Sequence, residues 1–260
     1  MPRRQRTRVM LSSASVFPEP LDAAFEIAAE LGYDGIEVMI WGDPTSQDPD
    51  AINELIDQAQ LPVGSVHAPC LLVTARVWGT DPGPKLARSV TLASRVQAST
   101  VVIHPPFRWQ PSYARQFRAG VRELERLSSV TIAVENMFPV RVRDREVSAY
   151  APHWDVADYQ FGHYTLDTSH AVVSRSDPVA MRARMGGRLA HVHLGDGLGG
   201  STDEHLVPGR GVGRCGEVLA ALGPGYRGDV VVEVSTRSAE RAERMDDLNE
   251  ALQFARRHLP

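Results

Sequence analysis

The stretch LAHVHLGD, residues 189–196, is a short apolar segment that ends in a histidine and a polar turn. The same order of residues recurs in PVGSVHAP (62–69), TVVIHPP (100–106), TIAVENM (131–137), YTLDTSHA (164–171) and VVVEVST (230–236). These runs are rich in valine and isoleucine and are bounded by turn residues, which is typical of parallel strands with both faces covered. Residues of metal-ligand type therefore follow one apparent strand after another.

Short apolar runs alternate with helix-like segments from end to end, and two further runs, RVMLSSASVF (8–17) and GIEVMIW (35–41), bring the predicted strands to eight. Eight β/α units without a linker predict an α/β fold, a single (β/α)8 TIM barrel in which residues 1–260 form one domain. The alternative is an open doubly wound sheet, which shows the same alternation. The count of eight favours the barrel, where all carboxyl ends of the strands point into one mouth.

Composition excludes several classes of function. The formal net charge of −4 gives no reason to expect a polyanion, so a nucleic-acid partner is not expected. Lys85 is the only lysine and lies in the polar stretch TDPGPK, which argues against Schiff-base chemistry. Two cysteines, Cys70 and Cys215, show no CxxC pattern and fit a reducing compartment. We expect a cytoplasmic protein without a signal sequence or a membrane-spanning segment.

Nine side chains at or near the predicted strand ends are of metal-ligand types: His67, His104, Glu135, Asp167, His170, His193, Asp203, His205 and Glu233. Imidazoles and carboxylates gathered in this way are typical of metal sites. For Glu135 and Glu233 the alternative is a buried salt bridge to arginine, because a carboxylate in an apolar run is costly unless it is paired or coordinated. His191, two residues before His193, is interpreted as a hydrogen-bonded core histidine.

Three loop residues are candidates for substrate contacts. GVGRCG (211–216) fits the dinucleotide pattern GxGxxG but follows no apolar strand, so the glycines of PGRGVG (208–213) predict a tight loop over the mouth. Arg210 in this loop is a candidate for binding a substrate oxyanion or phosphate, and a solvated arginine is the alternative. Trp41 and Trp109 are candidates for an apolar wall against a sugar ring, with loop packing as the alternative.

The segments HAP, IHPP, VEN, LDTSH, HVHLGD, DEHLVPGRG and VVEVS resemble the xylose isomerase-like TIM-barrel superfamily, which includes the AP endonuclease family 2 enzymes, over essentially the whole chain. Sugar isomerases and epimerases of this superfamily hold one divalent ion with a Glu, an Asp, a His and a second Glu. The resemblance implies Glu135, Asp167, His193 and Glu233 in these roles. Arg210 lies near the arginine that often follows the metal histidine in such enzymes.

The complete set of nine also resembles endonuclease IV, whose three zinc ions use nine protein ligands. The resemblance implies a first site of His67, His104 and Glu135, a second of Glu135, Asp167, His193 and Glu233, and a third of His170, Asp203 and His205. The chain departs from that enzyme by reading ENMFP, DTSH and HLGD where endonuclease IV has ENTAG-like, DTCH and HxND stretches. No basic insertion is evident, which disfavours DNA because phosphate contacts dominate affinity for DNA.

The leading hypothesis is a divalent-metal-dependent isomerase or epimerase of a small sugar, polyol or sugar phosphate. In it the ion stabilises an enediolate, while Glu135 and Glu233 act as base and acid. The alternatives are a multinuclear zinc phosphoesterase and a carbohydrate- or metal-binding protein without catalysis. The expected cofactor is one to three divalent ions, and mixed His/carboxylate ligation favours Zn or Mn. The sequence leaves the substrate, the metal and the oligomeric state open, a homo-oligomer included.

Overall fold

Eight parallel strands close into a barrel in the computed structural model, which describes residues 6–70, 74–142 and 145–260. The barrel strands are β1 Val9–Ser12, β2 Ile36–Met39, β3 Val63–His67, β4 Thr100–Ile103, β5 Thr131–Glu135, β8 His163–Asp167, β9 Leu189–Leu194 and β10 Asp229–Val232. A separate antiparallel hairpin consists of β6 Val140–Val142 and β7 Arg145–Val147. Barrel neighbours follow chain order, and β10 pairs with β1 to close the ring. The predicted TIM barrel is confirmed, and an open sheet is excluded.

Helices follow the barrel strands along the chain. They are α1 Leu21–Leu31, α2 Pro49–Ala59, α3 Pro82–Arg95, α4 Pro111–Leu127, α5 Thr168–Val173, α6 Pro178–Met185, α7 Cys215–Ala220 and α8 Arg241–His258. Three of them begin at an Asp-Pro pair, where Asp48, Asp81 or Asp177 accepts a backbone N–H of the first turn and proline follows at once. Such an aspartate satisfies a free amide of the helix terminus, and proline lacks the amide that would need a partner.

Strand residues alternate between an outer face, which packs against the helices, and an inner face, which fills the barrel. The lower inward positions are polar and fully buried: Glu37, Ser65, Thr165 and His191. The next inward positions toward the mouth are Met39, His67, Asp167 and His193. The barrel therefore carries an unusually polar interior directly beneath its mouth, which is the end formed by the carboxyl ends of the strands.

Several predicted boundaries were wrong. The first strand ends at Ser12, because the chain turns into a 3₁₀ helix at Ser13–Val16 whose first turn Ser12 caps. Residues 139–162, which the sequence predicts to be less regular, contain the β6–β7 hairpin, and the predicted sixth strand ends at Asp167, where α5 begins. Among the described residues, none of the helices combines the length and the apolar character needed to span a bilayer.

Candidate metal centre at the barrel mouth

Four strand ends direct three carboxylates at one imidazole. Nδ1 of His193 lies 3.1 Å from Oε1 of Glu135, 3.0 Å from Oε2 of Glu233 and 3.7 Å from Oδ2 of Asp167. Glu135, Asp167 and His193 are buried, whereas the side chain of Glu233 keeps 15% of its exposure. The residues that the resemblance implies for a single ion therefore lie together.

The chemistry of this group fits a divalent cation. The donor atoms of Asp167, His193 and Glu233 lie within 4.8 Å of one another, and Oδ2 of Asp167 and Oε2 of Glu233 have no hydrogen-bond partner in the part of the chain that the structure describes. Buried carboxylate oxygens without partners are costly, and a cation held by mixed His/carboxylate ligands removes that cost. Among the described residues no arginine pairs with Glu135 or Glu233, so the salt-bridge alternative does not account for them. Metal binding itself stays a prediction.

Glu37 lies directly beneath His193 in the barrel, and the sequence pattern did not indicate it. One carboxylate oxygen accepts hydrogen bonds from Ser65 Oγ at 2.7 Å and from His191 Nε2 at 2.9 Å. The other lies 3.0 Å from Nε2 of His193, although the two atoms do not have hydrogen-bond geometry. His191 is thus the hydrogen-bonded core histidine that the sequence predicted. The available signal was a carboxylate in the middle of the apolar run GIEVM, away from the strand end.

A second group lies on the other oxygen of Glu135. Nε2 of His67 is 3.3 Å and Nε2 of His104 is 3.1 Å from Oε2 of Glu135. Cys70 completes the group, since its Sγ donates to the carbonyl oxygen of Ala68 at 3.1 Å and accepts the backbone N–H of His104 at 3.4 Å. The sequence predicted the two histidines but not the thiol, which lies only three residues after His67 in HAPC.

A third group joins α5 to the loop after β9. Oδ2 of Asp203 lies 3.2 Å from Nε2 of His170 and 3.0 Å from Nε2 of His205. Nδ1 of His170 lies 3.3 Å from Oε1 of Glu135, so this group also contacts the central carboxylate. Asp167 accepts the backbone N–H of His170 as the N-cap of α5, which holds the two side chains three residues apart on one side of the mouth. All nine predicted ligands are therefore brought to the mouth.

Burial and mutual attraction shift the pKa values in this site strongly. Burial alone would raise the pKa of Glu135, but His193 and His104 outweigh it and hold that pKa well below its usual range. Burial would lower the pKa of His193, but Glu37, Glu233 and Glu135 raise it well above 6.5. Burial raises the pKa of Asp167 to about 6, against the attraction of nearby histidines. Protons on imidazoles thus supply positive charge that the carboxylates require.

Trp41 lies at the rim on the Glu233 side. Its ring stacks on Phe17 with centroids 5.5 Å apart, and both rings line a cavity of about 180 Å³ together with Glu233 and His205. Arg237 lines the same cavity, with its guanidinium carbon 5.2 Å from the centroid of Phe17. Among the described residues, no carboxylate forms an ion pair with Arg237. The sequence pattern did not indicate this arginine.

The other two predicted contact residues lie elsewhere on the rim. Trp109 is 58% exposed, stacks on Phe107 and lines a separate cavity of about 290 Å³ beside His104. Arg210 is directed at α8, where its guanidinium lies 2.7 Å from Asp247 and 2.6 Å from Glu250. The expectation that Arg210 reaches into the mouth therefore does not match its position, because two carboxylates of the last helix hold it. Substrate binding by Trp41 and Trp109 stays a prediction.

Comparison with known proteins agrees with this fold. The family model described as xylose isomerase-like TIM barrel matches residues 25–258. An uncharacterized protein of Mycobacterium tuberculosis is 50% identical over 277 residues, which cover 98% of this chain and 99% of the relative.

Solved structures resemble the chain at lower identity. A D-tagatose 3-epimerase-like protein is 22% identical with a TM-score of 0.69, and the match covers 96% of this chain and 98% of that protein. A D-psicose 3-epimerase of Clostridium cellulolyticum H10, solved with D-tagatose, is 17% identical with a TM-score of 0.70, over 97% and 99% of the two chains. At such identities the likeness establishes the fold.

Proposed function

Since the chain belongs to the xylose isomerase-like TIM-barrel family, we propose that it is a divalent-metal-dependent isomerase or epimerase of a small sugar, polyol or sugar phosphate. One observation carries the proposal: Glu135 and Glu233, from separate strands, converge on Nδ1 of His193 beside a cavity at the mouth. Two carboxylates that flank one position are what a reaction needs when a proton leaves carbon and returns to it.

The residues that would hold the metal ion are Glu135, Asp167, His193 and Glu233. When bound, the ion supplies Lewis-acid stabilisation of the negative charge that develops on the oxygens of the substrate. Glu37 keeps the imidazole of His193 in place by facing its other nitrogen. A carboxylate behind a metal-binding histidine is a common support, because it orients the ring and raises its basicity.

Glu233 and Glu135 have different surroundings, which suggests a division of roles. Glu233 is the more exposed and lines the cavity, so we assign it the first contact with the carbon that loses its proton. The C–H electron pair moves toward the adjacent carbonyl as Glu233 takes the proton. Glu135, buried and kept charged by the histidines around it, faces the same nitrogen from its own side, and it would return a proton to the substrate after taking one from those imidazoles. Return of a proton to the opposite face gives an epimer, and return to the neighbouring carbon gives an isomer.

Proton exchange at carbon tests the proposal. The metal-loaded full chain is incubated in deuterium oxide with D-tagatose, D-psicose and phosphorylated ketoses, and exchange is followed by NMR. We expect Glu233→Gln to lower exchange by about 10²–10⁴-fold, which is the usual contribution of a positioned base. Glu217→Gln, a surface change on α7, is the matched control and should exchange normally. Normal exchange in Glu233→Gln would contradict the assignment.

A multinuclear zinc phosphoesterase remains the second candidate because of one specific observation. The three groups of predicted ligands all contact Glu135, so adjacent ions sharing this carboxylate are chemically reasonable. Hydrolysis of phosphomonoesters, or nicking of duplex DNA at an abasic position, without any carbon-bound proton exchange would favour this candidate. The formal charge of −4 and the likeness to solved sugar epimerases favour the sugar enzyme.

A further inference from the structure

Cys70 stands next to two histidines whose orientation is already set. The donor atoms of His67, Cys70 and His104 lie within 4.8 Å of one another, at the ends of β3 and β4. Both imidazoles present Nε2 to the same oxygen of Glu135, at 3.3 Å and 3.1 Å. Nδ1 of His104 is buried and has no hydrogen-bond partner among the described residues, although an imidazole nitrogen in the interior normally finds one. Nδ1 of His67 lies 3.0 Å from the carbonyl oxygen of Ala68, a contact that metal binding would replace.

We propose that Cys70, His67 and His104 form a second metal site, distinct from the centre at His193, that takes a borderline divalent cation such as Zn²⁺ or Co²⁺. The assignment of His67 and His104 to a metal came from the resemblance, in which Glu135 is the third ligand. The new element is a thiolate ligand, which changes the metal that the site selects.

Ligand chemistry favours zinc or cobalt over magnesium or manganese here. A thiolate with two imidazoles is a soft to borderline set, whereas Mg²⁺ and Mn²⁺ favour oxygen ligands. Glu135 would then have the role that carboxylates commonly have behind metal histidines, because Nε2 of both rings faces it. The centre at His193 has three carboxylates and one imidazole, so the two sites differ in selectivity.

The position of the thiol leaves room for a ligand beside the metal. Cys70 and His104 line the cavity of about 290 Å³ that also contains Trp109 and Tyr113. Sites with three protein ligands and an open position are typical of catalytic zinc, whereas structural zinc has four protein ligands. A water or a substrate oxygen entering from the Trp109 side would complete the coordination.

Cobalt titration tests the site without depending on catalytic activity. The full chain is reduced, stripped of metal and titrated with Co²⁺ while near-ultraviolet absorption and bound metal per chain are measured. We expect a thiolate-to-cobalt charge-transfer band in the wild type, and we expect Cys70→Ser to lose the band and one equivalent of tightly bound metal. Cys215→Ser is the matched control, since Cys215 packs against Thr168 and the carbonyl of Gly195, and it should keep both.

Two results would overturn the proposal. The first is a wild-type protein saturated with Co²⁺ that shows no charge-transfer band, a measurement that needs no variant to fold. The second is a Cys70→Ser protein with native circular dichroism that binds as much metal as the wild type. Neither result bears on the sugar reaction, because proton exchange is assigned to the centre at His193.

Discussion

Glu135 is the residue at which the three groups of side chains meet. Its Oε1 faces His193 and His170, and its Oε2 faces His67 and His104. Strand position alone explained why Glu135 would reach the mouth. The number of its partners depends on the closure of the barrel, since those histidines come from β3, β4, β9 and α5.

Substitution of Glu37 should change the affinity of the His193 centre for metal. Glu37→Gln should weaken metal binding at the His193 centre by about 10–100-fold, because a neutral amide no longer supports the imidazole of His193. Metal titration by calorimetry measures the change. Glu125→Gln is the control, because Glu125 accepts from His163 at 2.7 Å near the start of β8, at the opposite end of the barrel. Equal affinities of Glu37→Gln and the wild type would show that Glu37 only fills space.

The two rim arginines differ in what holds them. Arg210 already contacts Asp247 and Glu250, whereas Arg237 lines the cavity beside Glu233 without a carboxylate partner among the described residues. We expect Arg237→Ala to raise KM for a phosphorylated ketose about tenfold or more, since hydrogen bonds to charged groups contribute about 1.5–3 kcal/mol. Arg210→Ala is the comparison, and its loss of an exposed ion pair should change stability by at most about 1 kcal/mol. The reverse order of the two KM effects would restore Arg210 as the substrate arginine.

The sequence predicted the barrel strands because each is a regular apolar run with its own turn signals. It missed α5, since Thr168–Val173 is short and contains β-branched residues that are poor helix formers. Packing against the barrel and the N-cap Asp167 stabilise that helix. Glu37 was missed for a related reason, because its partners Ser65 and His191 are 28 and 154 residues away in the chain. Long-range pairing of this kind leaves no local pattern.

The glycine loop at residues 208–213 is organised by one buried carboxylate. Asp196 accepts the backbone N–H groups of Gly197, Gly209, Gly211 and Gly213. A Cβ on Gly211 would lie 2.3 Å from the carbonyl oxygen of Gly197, so the loop requires glycine there. The predicted tight loop is thus present, wrapped around Asp196.

Asp196→Asn tests this element. In this variant a side-chain amide nitrogen would face backbone N–H groups that the carboxylate of Asp196 accepts in the wild type. Buried donors left without an acceptor cost about 1–3 kcal/mol each. We expect the free energy of unfolding to fall by about 2–4 kcal/mol in urea denaturation. Metal content should fall too, since Asp196 also pairs through its backbone with Leu206, next to His205. Asp22→Asn, an exposed change in the first turn of α1, should cost less than about 1 kcal/mol. Similar losses in both variants would contradict the loop assignment.

At the scale of the whole molecule, histidine side chains at the mouth carry protons at the positions where cations would bind. Carboxylates outweigh burial and hold the pKa values of His170 and His193 well above 6.5, and they raise that of His205 to about 10. Hydrogen bonds to Cys70 and Glu135 hold the pKa of His67 well above 6.5. For His193 the facing groups are Glu37 on β2, Glu135 on β5, Asp167 on β8 and Glu233 after β10. Metal ligation requires neutral imidazoles, so binding a cation releases protons.

This linkage gives the metal-free and metal-loaded proteins opposite pH dependence. Without metal, the folded chain holds more protons than the unfolded chain above pH 6.5, so the histidine contribution to stability is complete below that pH and is lost as the pH rises through the raised values. With metal, competition from protons weakens as the pH rises, so the stabilisation by the bound cation grows. This stabilisation reaches about 2.7 kcal/mol when the free metal concentration is a hundredfold above Kd.

Thermal unfolding from pH 6.5 to 9 should therefore show that Tm falls in EDTA. The gap between the Tm in EDTA and the Tm in Zn²⁺ or Mn²⁺ should widen over the same range. His193→Gln should reduce that gap because it removes the central ligand. A gap that stays constant across the pH range in the wild type would mean that these imidazoles are not the groups that exchange protons for metal.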